Sequence, residues 1–176
     1  MSSPTHDRVR SLIRDIPDFP KPGILFKDIG PLLRDGRAFA STIDLLAARF
    51  TEDGVQYVAA PEARGFIFGA ALACRFGCGF LPIRKPNKLP AATTSVTYDL
   101  EYGSDTVQIH SDSVHPGDRV LLVDDVLATG GTMAACARLV GSLGGIVVGC
   151  GFLMELRFLE GRGRLRDFRV EALLDY

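Results

Sequence analysis

The chain has no tryptophan, only three histidines, and four cysteines without a Cys-x-x-Cys pair. Structural zinc sites need Cys and His at short, paired spacings, so that class is excluded. Cys74, Cys78, Cys136 and Cys150 fall in apolar helix- or strand-like segments and are expected as buried free thiols in a reducing compartment. An excess of either charge is also missing: 20 Lys and Arg face 21 Asp and Glu, for a net charge of −1. This gives no electrostatic case for nucleic acid or an anionic membrane as partner. No apolar run approaches the ~20 residues of a membrane span. Residues 1–7 show neither a basic segment nor an apolar core, and cytoplasmic residence is the expectation. There is no internal repeat and no low-complexity linker.

What is present is ordinary for a soluble globular fold. With 176 residues and 47% apolar content the chain is long enough for one domain with a substantial core. Residues 7–16 carry Val9, Leu12, Ile13 and Ile16 at helical spacing, and Pro17, Pro20, Pro22 and Gly23 then force a constrained loop. Residues 35–52 read as an amphipathic helix capped by Asp35. Residues 55–60 read as a buried strand, residues 65–76 as a helix ended by Gly77, and residues 79–83 as another strand. Alternation through Val96, Tyr98, Leu100 and Tyr102, then Val107 and Ile109, predicts a β-hairpin over 93–110 turning at Gly103-Ser104-Asp105. Strands are expected at 120–123, 146–153 and 170–174, with a helix over 132–140. Such alternation predicts an α/β fold with a parallel sheet, whose ligands bind beyond the carboxyl ends of the strands. The loops 61–65, 84–90 and 124–132 should therefore converge on one edge.

The densest chemistry lies in Val120-Leu-Leu-Val-Asp-Asp-Val-Leu-Ala-Thr-Gly-Gly-Thr132. A buried strand runs into two acids and then a small, hydroxyl-bearing turn at a helix N-terminus. Ala128, Thr129, Gly130, Gly131 and Thr132 let several N–H groups converge where the helix dipole favours an anion. The loop lacks the Lys of a nucleoside-triphosphate loop and is too short to be one. Asp124 and Asp125 would repel a phosphate, but suit the hydroxyls of a vicinal diol. A ribose 5-phosphate satisfies both halves. Arg64, before a predicted helix at Gly65, suits an oxyanion, although a surface pairing with Glu62 is the plainer alternative. Arg84, Lys85 and Lys88 form a proline-restrained cationic loop suited to a diphosphate.

This run resembles the phosphoribosyl-pyrophosphate (PRPP) signature of type I phosphoribosyltransferases, in the form found in the adenine-specific branch of that family. Ile16-Pro-Asp-Phe-Pro-Lys-Pro-Gly-Ile-Leu-Phe-Lys-Asp-Ile-Gly-Pro31, Pro61-Glu-Ala-Arg-Gly-Phe-Ile-Phe-Gly69, Ile83-Arg-Lys-Pro-Asn-Lys-Leu-Pro90 and Tyr98-Asp-Leu-Glu-Tyr-Gly103 carry the same resemblance. It implies a central parallel sheet flanked by helices, a flexible hairpin flap near 91–111, and a purine-binding hood near 1–34.

The implied reaction is adenine plus PRPP giving AMP and pyrophosphate, with Mg²⁺ held mainly by the substrate phosphates and no dedicated protein metal site. By the resemblance, Ala128 to Thr132 hold the 5-phosphate, while Asp124 and Asp125 hold the ribose. Glu62, Ala63, Arg64, Lys85, Lys88 and Tyr102 surround the pyrophosphate. Leu25, Phe26 and Lys27 receive adenine, Phe26 by stacking. Arg64 and Glu101 are the implied catalytic residues, Glu101 exchanging a proton with the purine. A homodimer is implied, in some members through the cationic loop of the neighbouring subunit. Two other readings remain: a phosphoribosyltransferase for a 6-oxopurine, and a PRPP-sensing module without turnover. A PRPP-making kinase fits poorly, for want of a triphosphate site.

Overall fold

A computed structural model of the chain describes residues 4–99 and 103–176. Two compact units result, residues 1–45 and 46–176.

The first unit begins with helix α1 (Pro4–Ser11), followed by strands β1 (Arg14–Pro17) and β2 (Leu25–Asp28) paired antiparallel, with Ile16 opposite Phe26. The predicted helix through Ile16 therefore stops early, because residues 14–17 satisfy their backbone groups against β2 instead. The proline-rich segment between the strands is the hairpin's connection. Its Asp18 carboxylate accepts the Gly23 amide at 2.8 Å. A short helix α2 (Gly30–Arg34) follows, then α3 (Gly36–Ala48). Asp35 caps α3 as expected, its Oδ1 accepting the amides of Arg37 and Ala38 at 3.1 and 3.0 Å. Those bonds, with the Arg8 guanidinium, hold its carboxyl below the usual range.

The second unit is a five-stranded, all-parallel sheet in the order β4-β3-β7-β8-β9. Its strands are β3 (Tyr57–Pro61), β4 (Gly79–Ile83), β7 (Arg119–Leu127), β8 (Ile146–Glu155) and β9 (Val170–Asp175). Helix α4 (Gly65–Phe76) connects β3 to β4, and α5 (Gly131–Ser142) connects β7 to β8. Gly77 ends α4 in the left-handed region at φ 67°, as the sequence anticipates. Val120, Leu121, Leu122 and Val123 are fully buried, which is why this strand reads as a continuous apolar run rather than an alternating one. Val120 and Leu122 belong to a core cluster that also holds Phe152, Leu139 and Ile83. Two 3-10 turns, Arg157–Leu159 and Gly161–Arg164, link β8 to β9.

The hairpin consists of β5 (Thr93–Asp99) and β6 (Ser104–His110), paired from Asp99 with Ser104 to Thr93 with His110. Ser104 and Asp105 therefore belong to β6 and not to the predicted Gly103-Ser104-Asp105 turn. Asp105 sits inside a strand, opposite Tyr98. The hairpin is joined to the chain after β4 by reciprocal backbone bonds between Arg84 and Gln108, at 2.9 and 2.7 Å.

All four cysteines are free. Cys136 and Cys150 are buried, and burial pushes both thiols far up. Cys78 is half-buried, however, and Cys74 is exposed on α4, so only two of the four fit the expectation of buried thiols.

Candidate functional site

The sheet order places β3 beside β7 while their helices lead away to opposite sides of the sheet, to β4 and to β8. Such a switch of direction opens a crevice at the strands' carboxyl ends. The predicted convergence holds there: residues 61–64, 83–85, 124–126 and Thr132 line one cavity of about 350 Å³. A second cavity of about 150 Å³ is lined by residues 126–133 with Asp124 and Phe152. Asp124, Val126 and Thr132 border both, so the two cavities adjoin.

The smaller cavity is formed by the segment expected to bind a phosphate. Ala128, Thr129, Gly130, Gly131 and Thr132 all line it, at the N-terminus of α5. Gly130 has φ 79° and faces the Gly161 carbonyl so closely that a Cβ would lie 2.4 Å from that oxygen. Both the torsion and the space therefore demand glycine. Gly161 is in turn tight against Ala128, whose carbonyl oxygen would lie 2.2 Å from a Cβ. The 3-10 turn carrying Gly161 is pinned by Arg162, which donates through Nε to both carboxylate oxygens of buried Glu155 at 2.9 and 2.8 Å and through Nη1 to the Val170 carbonyl. A backbone wall from a distant segment thus shapes the loop. Nothing in residues 155–162 signals it in sequence, apart from a glycine between charged residues.

Asp124 and Asp125 follow consecutively along β7 and so point to opposite sides. Asp124 is partly exposed to both cavities, and its Oδ1 accepts the Asp125 amide at 2.9 Å. Burial, and then the neighbouring Asp125 charge, raise its carboxyl well above the ordinary 3.8. Asp125 is only 2% exposed. Its Oδ2 is 2.9 Å from Arg64 Nε, and the guanidinium opposes the upward push of burial on this acid.

Arg64 does not pair with Glu62, the plainer reading of the sequence. Glu62 instead accepts Arg84 Nε at 2.8 Å and the Lys85 amide at 2.7 Å. Burial raises this carboxyl, but those two donors together bring it below its ordinary value. Arg84 also donates to the Lys88 carbonyl, so the arginine organises the cationic loop internally. Ala63 and Lys85 line the larger cavity, whereas Lys88 is exposed and outside both cavities. The Glu62–Ala63 peptide is cis.

A chain of polar contacts closes the rim. Lys85 Nζ pairs with Asp105, the Tyr98 hydroxyl donates to Asp105 Oδ2 at 3.1 Å, and the same hydroxyl meets Thr132 Oγ1 at 3.1 Å. Tyr98 is 6% exposed, and burial raises its hydroxyl pKa. Burial acts upward on Asp105 too, but Lys85 and the Thr106 amide hold it below the ordinary value. Sequence reasoning missed both residues as site groups. The available signal was that Asp105 shares a strand face with Val107 and Ile109, which are buried.

In the first unit Leu25 is half-exposed and Phe26 is partly covered, packed edge-to-face on Phe19 at 5.1 Å between centroids. Lys27 Nζ pairs with Asp15 at 2.6 Å, leaving the side chain 11% exposed. Leu25 and Lys27, two apart on one strand, direct their backbone groups to the same edge. Glu101 and Tyr102 lie outside the described residues. Among the described residues no set of three or more His, Cys, Asp or Glu is placed to hold a metal ion. No described helix is long and apolar enough to cross a membrane.

Residues 26–167 match the phosphoribosyl transferase domain family. The adenine phosphoribosyltransferase of Acidobacterium capsulatum is 56% identical over 177 residues, covering 98% of each chain. Among solved structures, the adenine phosphoribosyltransferase of Thermoanaerobacter pseudethanolicus has a TM-score of 0.95 at 53% identity, over 97% of this chain and 99% of that one. The Saccharomyces cerevisiae enzyme, solved with an imino-altritol bisphosphate and adenine, has a TM-score of 0.91 at 39% identity, over 97% of this chain and 98% of that one. By its near-complete coverage and by the residues of its crevice, the chain belongs to the phosphoribosyltransferase family, in its adenine phosphoribosyltransferase branch.

Proposed function

We infer that the protein transfers 5-phosphoribose from PRPP to N9 of adenine, giving AMP and pyrophosphate, and that the whole chain acts as one catalytic unit. The observation that carries this reading is the pair of adjoining cavities: one walled by a glycine-hydroxyl loop, the other by Arg64 and Lys85, with Asp124 on both. A sugar with a phosphate at one end and a diphosphate at the other fits that order of groups. The choice of adenine among bases is supported by the relatives.

Ala128 to Thr132 bind the 5-phosphate through amides and hydroxyls at the start of α5. Asp124 and Asp125, both on the larger cavity, accept the ribose hydroxyls. Asp125, buried against Arg64, fixes that guanidinium beside the departing diphosphate. Loss of diphosphate leaves oxocarbenium character at the anomeric carbon, as in glycoside cleavage. Arg64, Lys85 and the Ala63 backbone stabilise charge on the leaving group. The Glu62 carboxylate, committed to Arg84 and the Lys85 amide, shapes this subsite from behind. Mg²⁺ would supply neutralisation of charge on the diphosphate, and its preference for phosphate oxygens and water would have it held mainly by the substrate beside Arg64 and Lys85.

Phe26 provides the stacking surface for adenine, with the Leu25 carbonyl and Lys27 amide reading its edge. Glu101 serves as the proton-exchanging group and Tyr102 as a diphosphate contact. Lys88 faces outward, which suits contact with a diphosphate in a second subunit, and we assign the protein a homodimeric, cytoplasmic state.

The test is pyrophosphate release with Mg²⁺, PRPP and each of adenine, hypoxanthine, guanine, xanthine and orotate, with base-free controls. Adenine-dependent release is expected. Preference for a 6-oxopurine would overturn the base assignment, and PRPP binding without release would favour a sensor.

A further inference from the structure

We propose that Asp105 is an internal counter-ion that competes with the diphosphate for Lys85, thereby setting how tightly pyrophosphate is kept. The inference rests on the assignment of Lys85 to the diphosphate made above.

Three observations carry it. Lys85 lines the larger cavity, yet its ammonium is in direct contact with the Asp105 carboxylate. Asp105 comes from the hairpin, not from the loop that carries Lys85, and the two segments are locked in register by the Arg84–Gln108 backbone pair. The carboxylate has two further donors: Tyr98 donates to the same Oδ2 that Lys85 contacts, and the Thr106 amide donates to Oδ1 at 2.8 Å. Asp105 is therefore fixed, while Lys85, at the end of four methylenes and 42% exposed, is the partner free to swing.

Physically, an ammonium in contact with a carboxylate is a near-neutral pair that attracts a distant diphosphate weakly. To bind the diphosphate at full strength, Lys85 must leave Asp105. The carboxylate survives that loss because Tyr98 and Thr106 still donate to it. On product departure the same carboxylate recaptures the ammonium, which favours release. Asp105 touches neither substrate nor reacting atom on this account; it acts through Lys85. The adjoining Tyr98–Thr132 contact brings the same hairpin residue to the edge of the phosphate loop, which keeps the counter-ion in place relative to both subsites.

A double-mutant cycle tests this, with pyrophosphate and Mg²⁺ titrated calorimetrically into the full-length protein. Asp105→Asn is isosteric and keeps an acceptor for Tyr98, and Asp105→Ser provides a second reading should the first fold poorly. Either is expected to tighten pyrophosphate binding, and the gain should be at least about fivefold larger with Lys85 present than in a Lys85→Met background. A merely structural Asp105 would weaken binding or leave it unchanged. A general repulsion between Asp105 and the ligand would give equal gains in both backgrounds. Either result overturns the proposal. Failure of the underlying assignment shows separately: wild-type protein would bind no pyrophosphate, or Lys85→Met alone would leave its affinity intact.

Discussion

Arg64 Nε lies 2.9 Å from Oδ2 of Asp125, joining the segment after β3 to the carboxyl end of β7. The acid is buried and the guanidinium 38% exposed, so one partner depends on the other far more than the reverse. Arg64→Ala should lower kcat by removing a cation from the leaving-group subsite. It should also leave Asp125 without its counter-charge, at a cost of about 1–3 kcal/mol. With the largest opposing influence gone, the Asp125 carboxyl should rise further, and the acidic limb of the kcat/KM profile should move to higher pH. Unchanged kcat would place Arg64 outside the reaction, and an unmoved limb would separate it from Asp125.

Asp124 predicts a conflict between stability and activity. Its folded-state carboxyl titrates well above the ordinary 3.8, so the folded protein binds the proton more tightly than the unfolded chain does. Its contribution is therefore favourable below 3.8 and is lost as pH rises through the folded value. Asp124→Asn, neutral at all pH, should raise Tm at pH 7.5 relative to wild type while the advantage disappears near pH 3.5. The same variant should use PRPP poorly. Thermal melts across that range check the first claim, and KM for PRPP the second.

Gly161 is far along the chain from the proposed phosphate-binding residues, yet a methyl group there would meet the Ala128 carbonyl. Gly161→Ala should shift the phosphate loop, raise KM for PRPP at least several-fold and cost about 1–3 kcal/mol of stability, as overpacking against rigid backbone does. KM for adenine at saturating PRPP, which reads the proposed base contacts at Leu25, Phe26 and Lys27, should change little. Wild-type PRPP kinetics would show that the loop tolerates displacement.

Phe26 offers an aromatic face that a purine can stack on, and its packing on Phe19 preserves the ring's place. Phe26→Leu should retain the apolar contact with Phe19 but weaken adenine binding by about 1–3 kcal/mol, the range for base stacking on an aromatic ring. Equilibrium binding of adenine in the presence of pyrophosphate-free buffer reads this directly, and an unaltered affinity would leave Phe26 as a packing residue only.

Much of this protein was decided locally. The buried run at 120–123, the glycine-capped helix over 65–76, the Asp35 cap and the loop at 128–132 follow from residues within a few positions of one another, because helix caps, strand burial and tight turns are short-range matters. The alternation of strands and helices also implied a parallel sheet, and with it the convergence of three loops on one edge. The hairpin of β1 and β2 was not legible, since four-residue strands beside several prolines carry the composition of a loop and gain their order only from pairing across the turn.

Who pairs with whom belonged to the tertiary structure. Glu62 lies two residues from Arg64, but its carboxylate goes to Arg84, 22 positions away, while Arg64 goes to Asp125. Asp105, expected in the hairpin turn, lies in β6 opposite Tyr98 and is the partner of Lys85. Gly161 reaches the phosphate loop only because β8 carries the chain back beside β7. Charge and hydrogen-bonding capacity are properties of a residue and can be read in order along the chain. The partner that satisfies them is set by sheet order and register, which bring distant segments within ångströms of one another.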